Sequence, residues 1–129
     1  MIVLDASVFI AFLAGDDIHH AAAERLLADA VDDDLAVNPL TLAEILVAPL
    51  RDGRLDAVVA ALAALEVHEL PFPDDTSIRL ARLRAETGLK MPDCCVLLAA
   101  EALGASVATF DGRLAQLAEK RGIPVVRPA

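Results

Sequence analysis

A run of four apolar residues, Met1-Ile2-Val3-Leu4, stops abruptly at a charge, Asp5. Short, wholly apolar runs of this kind mark strands buried on both faces, and such strands belong to parallel sheets covered by helices on each side. Val107-Ala108-Thr109-Phe110-Asp111 repeats the pattern near the other end, with Ser106 before it and Gly112 after it. Two such strands in one sheet would deliver two carboxylates to one rim. In open α/β sheets, the rim beyond the carboxyl ends of the strands is where ligands bind.

The segments between these runs alternate in type. Residues 7–13 read as a short helix ending near Gly15, and residues 18–31 as a second helix with Ala22, Leu26, Leu27 and Ala30 on one face. Asp32, Asp33 and Asp34 read as a solvated turn. Residues 35–38 form a second strand, and Pro39 opens a helix. Residues 51–65 are helical and Ala-rich around Gly53, and residues 67–70 alternate in the manner of an edge strand. A helix over 74–87 is closed by Gly88. The stretch from Cys94 to Leu103 is apolar apart from Glu101, so its helix should be buried against the sheet before Gly104 ends it. A helix over 113–120 and a strand over 123–126 complete the chain. This order predicts one α/β domain over 1–129, with a mostly parallel sheet of four to five strands covered on both faces.

Bulk properties narrow the function. A net charge of −9 and four Phe without Trp or Tyr exclude a nonspecific nucleic-acid coat, which relies on Lys, Arg and stacking aromatics. A bound cation inverts that local potential, and two divalent ions would offset four of the nine charges. Although 57% of the residues are hydrophobic, no apolar stretch reaches the roughly 20 residues of a spanning helix. The start of the chain lacks the basic segment of a signal peptide. A cytoplasmic protein with no membrane partner is the expectation. Cys94 and Cys95 are adjacent, a spacing that disfavours a bridge between them, and read as packing residues at a helix start.

Two further acids open helices. Glu44 follows Thr41 at the capping-box spacing, yet Leu40, Leu42, Ala43, Ile45, Leu46 and Val47 surround it, and a carboxylate among such neighbours is costly unless paired or metal-bound. Asp93 follows Pro92 in a helix's first turn, as a cap or as a ligand. Arg79, Arg82, Arg84 and Lys90 form the densest basic segment, either a solvated helix face or a phosphate contact. His19, His20 and His68 read as surface or turn residues away from these motifs.

With these pieces in place the chain resembles the PIN-domain ribonucleases, and among them the short VapC toxins of toxin–antitoxin pairs. The matching segments are Val3-Leu4-Asp5-Ala6-Ser7, Thr41-Leu42-Ala43-Glu44-Ile45-Leu46, Lys90-Met91-Pro92-Asp93 and Val107-Ala108-Thr109-Phe110-Asp111. The resemblance implies a three-layer α/β/α sandwich and cleavage of RNA by metal-activated water. It makes Asp5, Glu44 and Asp93 the principal catalytic and metal-site acids, with Asp111 the fourth, around one or two Mg²⁺ or Mn²⁺ ions. Ser7 and Thr109 would orient those carboxylates or their water. A VapB-like antitoxin and a homodimer are the implied partners. Leu114 departs from relatives that carry Phe there. Two rivals stand beside this reading. A haloacid dehalogenase-like phosphatase needs a second Asp two residues after the first, where this chain has Ser7. The other is a PIN-fold module that binds protein without catalysis.

Overall fold

The computed structural model describes residues 1–127, and the last two residues of the predicted 1–129 domain lie outside that range. A five-stranded sheet runs in the order β3-β2-β1-β4-β5, and every neighbouring pair is parallel. The strands are β1 (Ile2–Leu4), β2 (Leu35–Val37), β3 (Val67–Glu69), β4 (Ser106–Ala108) and β5 (Val125–Val126). Among the described residues the sheet is therefore wholly parallel and at the upper end of the expected strand number. β3, with exposed His68 and Glu69, is the predicted edge strand.

Successive residues of a strand point to opposite faces, which explains why β1 and β2 are apolar at every position and β4 at all but half-buried Ser106. Ile2 and Leu4 enter a core built with α1 (Ala6–Leu13), α2 (His20–Asp29), α3 (Pro39–Arg51) and α4 (Leu55–Ala64). Val3 enters a second core with α5 (Thr76–Thr87), α6 (Met91–Leu103) and α7 (Gly112–Lys120). β4 divides likewise, Ala108 joining the first core and Val107 the second. Each such Leu or Val contributes roughly 1.5–3 kcal/mol by leaving water. The result is the predicted three-layer α/β/α sandwich.

The strand order positions the site. The chain steps outward from β1 to β2 to β3, then returns across the sheet to β4 and β5. The reversal falls between β1 and β4, and crevices at such switch points are where open α/β sheets bind ligands. Leu4 lies opposite Ala108, and the Asp5 N–H donates to the Ala108 carbonyl at 2.9 Å. The residues that follow both strands therefore emerge side by side.

Of the boundaries that differ from expectation, three do so for clear local reasons, while β2, β3 and α5 differ by only one or two residues at one end. α2 begins at His20 rather than near residue 18 because Asp17 Oδ1 accepts the His19 N–H at 2.8 Å and holds a turn; its buried face includes Ala23 rather than Ala22. Residues 51–65 are broken at Gly53, whose φ of +70° suits glycine. β5 is only two residues long, because the Ile123 N–H closes α7 on Ala118 and Pro124 has no N–H to offer.

Candidate functional site

Asp5 occupies the N-cap position of α1, yet its carboxylate makes no cap bond to that helix. Its Oδ2 instead accepts two hydroxyls, Ser7 Oγ at 2.7 Å and Thr109 Oγ1 at 2.7 Å. Each hydroxyl is itself an acceptor, of the Phe110 N–H at 3.1 Å and the Asp111 N–H at 3.0 Å respectively. A hydroxyl carries one proton, and both protons are thereby aimed at Asp5. The turn after β1 and the loop after β4 are sewn together through one buried carboxylate oxygen, while Oδ1 receives no hydrogen bond among the described residues. Asp111 behaves differently: it caps α7, with Oδ1 accepting the Leu114 N–H at 2.9 Å.

Glu44 does not cap α3. Asn38 fills that role, its Oδ1 accepting the Thr41 N–H at 2.9 Å and its Nδ2 donating to Thr41 Oγ1 at 2.9 Å, both residues buried. The capping-box spacing of Thr41 and Glu44 is thus present but unused. Glu44 is also exposed, although Ile45 beside it is buried; the apolar sequence around it is not a buried setting. Partial desolvation, and then the charge of Asp5, raise its pKa.

Asp93 stands in the first turn of α6, half-buried. Its pKa is pushed up to about 6, first by burial and then by Asp5, Asp111 and Glu44, against a small opposing effect of Lys90. Asp93 therefore feels the charge of the three other predicted acids, and Glu44 feels that of Asp5. Among the described residues, no three His, Cys, Asp or Glu side chains converge into a ready-made cage. The donor set is nevertheless that of a hard cation: carboxylate and hydroxyl oxygens. Thiolates are not on offer, because burial raises both Cys94 and Cys95, the latter to about 11. Both cysteines are free and buried, as expected.

The basic segment divides into residues with and without other duties. Arg84 reaches the Gly88 and Leu89 carbonyls and so holds the α5–α6 connection. Arg79 pairs with Asp75. Arg82 and Lys90 are exposed, and Lys90 is near enough to influence Asp93. His20 contacts the Ala11 carbonyl and pairs with Glu24. His19 is an exposed turn residue as expected, but it does not lie away from the motifs: its ring stacks on Phe110, with centroids 4.7 Å apart and planes 13° from parallel. No periodicity links residues 91 positions apart, so only the sheet order reveals the pair.

The fold and rim define a three-layer parallel α/β protein with coupled carboxylates at its switch point. The family model of the PIN domain matches residues 2–120. The chain belongs to the PIN-domain family, at family level nucleases that generally use divalent metal ions. Its fold is similar to that of a toxin–antitoxin complex from Klebsiella pneumoniae, at 22% identity and TM-score 0.74, covering 100% of this chain and 98% of that one. It is similar also to VapC20 of Mycobacterium tuberculosis, described as a sarcin-ricin loop cleaving toxin, at 22% identity and TM-score 0.77, covering 99% and 100%. FitAcB from Neisseria gonorrhoeae matches at 20% identity and TM-score 0.73, covering 99% and 98%. At these identities the likeness is one of fold. No curated protein sequence matches the chain significantly. No helix among the described residues is long and apolar enough to cross a membrane.

Proposed function

We propose that the chain is a Mg²⁺- or Mn²⁺-dependent endoribonuclease, the toxin of a toxin–antitoxin pair. The observation that carries this reading is the shared field of Asp5, Glu44, Asp93 and Asp111, brought from four separate segments to one rim. The charges of Asp5, Asp111 and Glu44 raise the pKa of Asp93, and that of Asp5 raises Glu44; such a cluster is poorly placed for structure and well placed for a cation, which relieves the repulsion.

Asp5, Glu44, Asp93 and Asp111 would hold one or two ions. Such an ion, when bound, lowers the pKa of coordinated water and offsets phosphate charge. The chain supplies the positioning. Ser7 and Thr109 fix the Asp5 carboxylate through Oδ2, which leaves Oδ1 to face the pocket. Asp111 spends Oδ1 on its helix and keeps Oδ2. Lys90, near enough to influence Asp93, is the basic group of this segment placed to meet the RNA backbone at the rim; Arg82 lines a hollow with Glu86, Glu101 and Arg121 and would meet RNA farther from the acids, while Arg79 and Arg84 are engaged elsewhere.

An acidic rim of this kind also suits an antitoxin that inserts an Arg among the carboxylates, and the toxin–antitoxin complex of similar fold from Klebsiella pneumoniae supports such a partner. A homodimer would join two weakly basic faces into one groove, in the cytoplasm, with residues 1–129 as one domain. The test is incubation of purified wild type, Asp5→Asn and Asp93→Asn with an RNA panel in Mg²⁺, Mn²⁺ or chelator. Cleavage should require both the ion and the acids. Undiminished cutting by the variants would refute the site, and a wild type that binds partners but cuts nothing would favour a noncatalytic module.

A further inference from the structure

Beside the carboxylates lies the one aromatic pair that joins two segments of the rim. Phe110 sits between Thr109, which donates to Asp5, and Asp111, and its own N–H is held by Ser7 Oγ. It is half-buried against the first core. The His19 ring covers it in a nearly parallel stack, and His19 is exposed. One imidazole face is spent on Phe110, and the residue's exposure leaves ring surface open to solvent. Ile18, the preceding residue, is 92% exposed, the most exposed large hydrophobic side chain among the described residues. An apolar and aromatic strip on the α1–α2 turn is thus tied through Phe110 and Ser7 to Asp5.

We infer that His19, backed by Phe110, is a stacking platform for a nucleobase of the RNA adjacent to the phosphate held at the carboxylate rim. The inference rests on the nuclease reading and adds a base contact to it. The charge around the strip favours a base over a phosphate. Asp16 and Asp17 precede it, Asp5 and Asp111 flank it, and these acids repel the backbone while leaving a neutral ring unaffected. Every nucleobase offers a π-face, so the contact places the strand without fixing its sequence. His19 is held ready by the bond from its N–H to Asp17 Oδ1, which limits the ordering needed on binding. His19 acts here as a binding and positioning residue, since among the described residues its ring has no hydrogen bond to Asp5, Glu44, Asp93 or Asp111.

The experiment uses single-stranded RNA oligonucleotides carrying 2-aminopurine at successive positions, titrated with the full chain in Ca²⁺ by fluorescence, with cleavage in Mg²⁺ measured in parallel. Stacking should quench the probe at one position next to the cut. His19→Ala should abolish that quench and weaken binding about 5- to 100-fold, raising KM more than it lowers kcat. His19→Phe should restore both, because it keeps the stack without the imidazole. A purely structural role for His19 would lower thermal stability in His19→Ala and leave the position-specific quench intact, and that result overturns the inference. If wild type cuts RNA and His19→Ala binds and quenches as wild type does, the platform fails while the nuclease reading survives. If wild type neither binds nor cuts any RNA in the panel, the nuclease reading itself fails and the platform falls with it.

Discussion

The Thr109 hydroxyl donates to Asp5 Oδ2 at 2.7 Å across 104 residues of sequence. Both residues are buried, so the bond cannot be replaced by water at no loss. Thr109→Val keeps the shape, removes the donor to Asp5 and strands the Asp111 N–H that Thr109 Oγ1 accepts. Stability should fall by about 1–3 kcal/mol, and metal affinity or activity by roughly 10- to 100-fold. Thr109→Ser should retain most of both. Urea denaturation with paired cleavage assays checks this, and a Val variant of wild-type activity would show that Asp5 does not depend on the hydroxyl.

Asp93 titrates near 6 in the folded chain against an ordinary 3.8, which sets a sign. Below about pH 4 both states hold the proton and the site carries no penalty. As pH climbs toward 6 the unfolded chain releases its proton first, so stability falls, and above about 6 the loss is complete. Asp93 is partly exposed, so solvent screening reduces the effect to about 1–2 kcal/mol. Asp93→Asn should flatten this pH dependence and make the metal-free protein more stable at pH 7 while ending cleavage. Equal stability of the two proteins at pH 7 would show that the acids do not strain the fold.

The same repulsion predicts the response to cations. Mn²⁺ or Mg²⁺ at about 100 times its dissociation constant should stabilise the chain by about 2.7 kcal/mol. The gain should be larger at pH 7 than at pH 5, because the ligand carboxylates must shed protons to bind. Thermal melts at both pH values, with Asp5→Asn as the control, measure it. A cation effect that survives in Asp5→Asn would place the ion elsewhere.

How much of this was legible in the sequence differs from residue to residue. Asp5 and Asp111 were readable because a strand buried on both faces has no polar positions, so the first acid marks its end. Asp93 was readable from Pro92 and the apolar helix behind it. Glu44 was ambiguous, since a capping box is a local pattern and its use depends on whether another residue reaches the same N–H first, as Asn38 does. His19 was readable as an exposed turn residue, but its contact with Phe110 was not, because that partner is supplied by strand order and not by spacing.

The capping arrangement separates Asn38 from Glu44 by experiment. Asn38→Ala removes the acceptor for the Thr41 N–H and the donor to Thr41 Oγ1. It should cost about 1–2 kcal/mol and loosen the helix that presents Glu44. Glu44→Gln should leave stability unchanged or slightly raised, as it removes a charge repelled by Asp5, yet abolish cleavage. Loss of stability in Glu44→Ala, which unlike Gln cannot complete a capping box, would restore the capping reading.

Arg82 and Arg84 are equivalent in sequence and unlike in place. Arg84 donates to the Gly88 and Leu89 carbonyls, which lie just beyond the end of α5 in its connection to α6. Arg84→Ala should therefore lower stability by about 1 kcal/mol, with RNA affinity following only through the altered loop before Asp93. Arg82 is exposed and has no hydrogen bond or ion pair among the described residues. If it meets a phosphate, Arg82→Ala should leave stability within about 0.5 kcal/mol, weaken RNA binding for all sequences alike, and reduce the salt slope of binding by roughly one. Lys90→Ala should behave as Arg82→Ala does, with the added mark that Asp93 loses the cation lowering its pKa. Binding titrations of wild type, Arg82→Ala, Arg84→Ala and Lys90→Ala at several salt concentrations decide among these roles. An unchanged slope in both Arg82→Ala and Lys90→Ala would mean that RNA approaches the rim from another side.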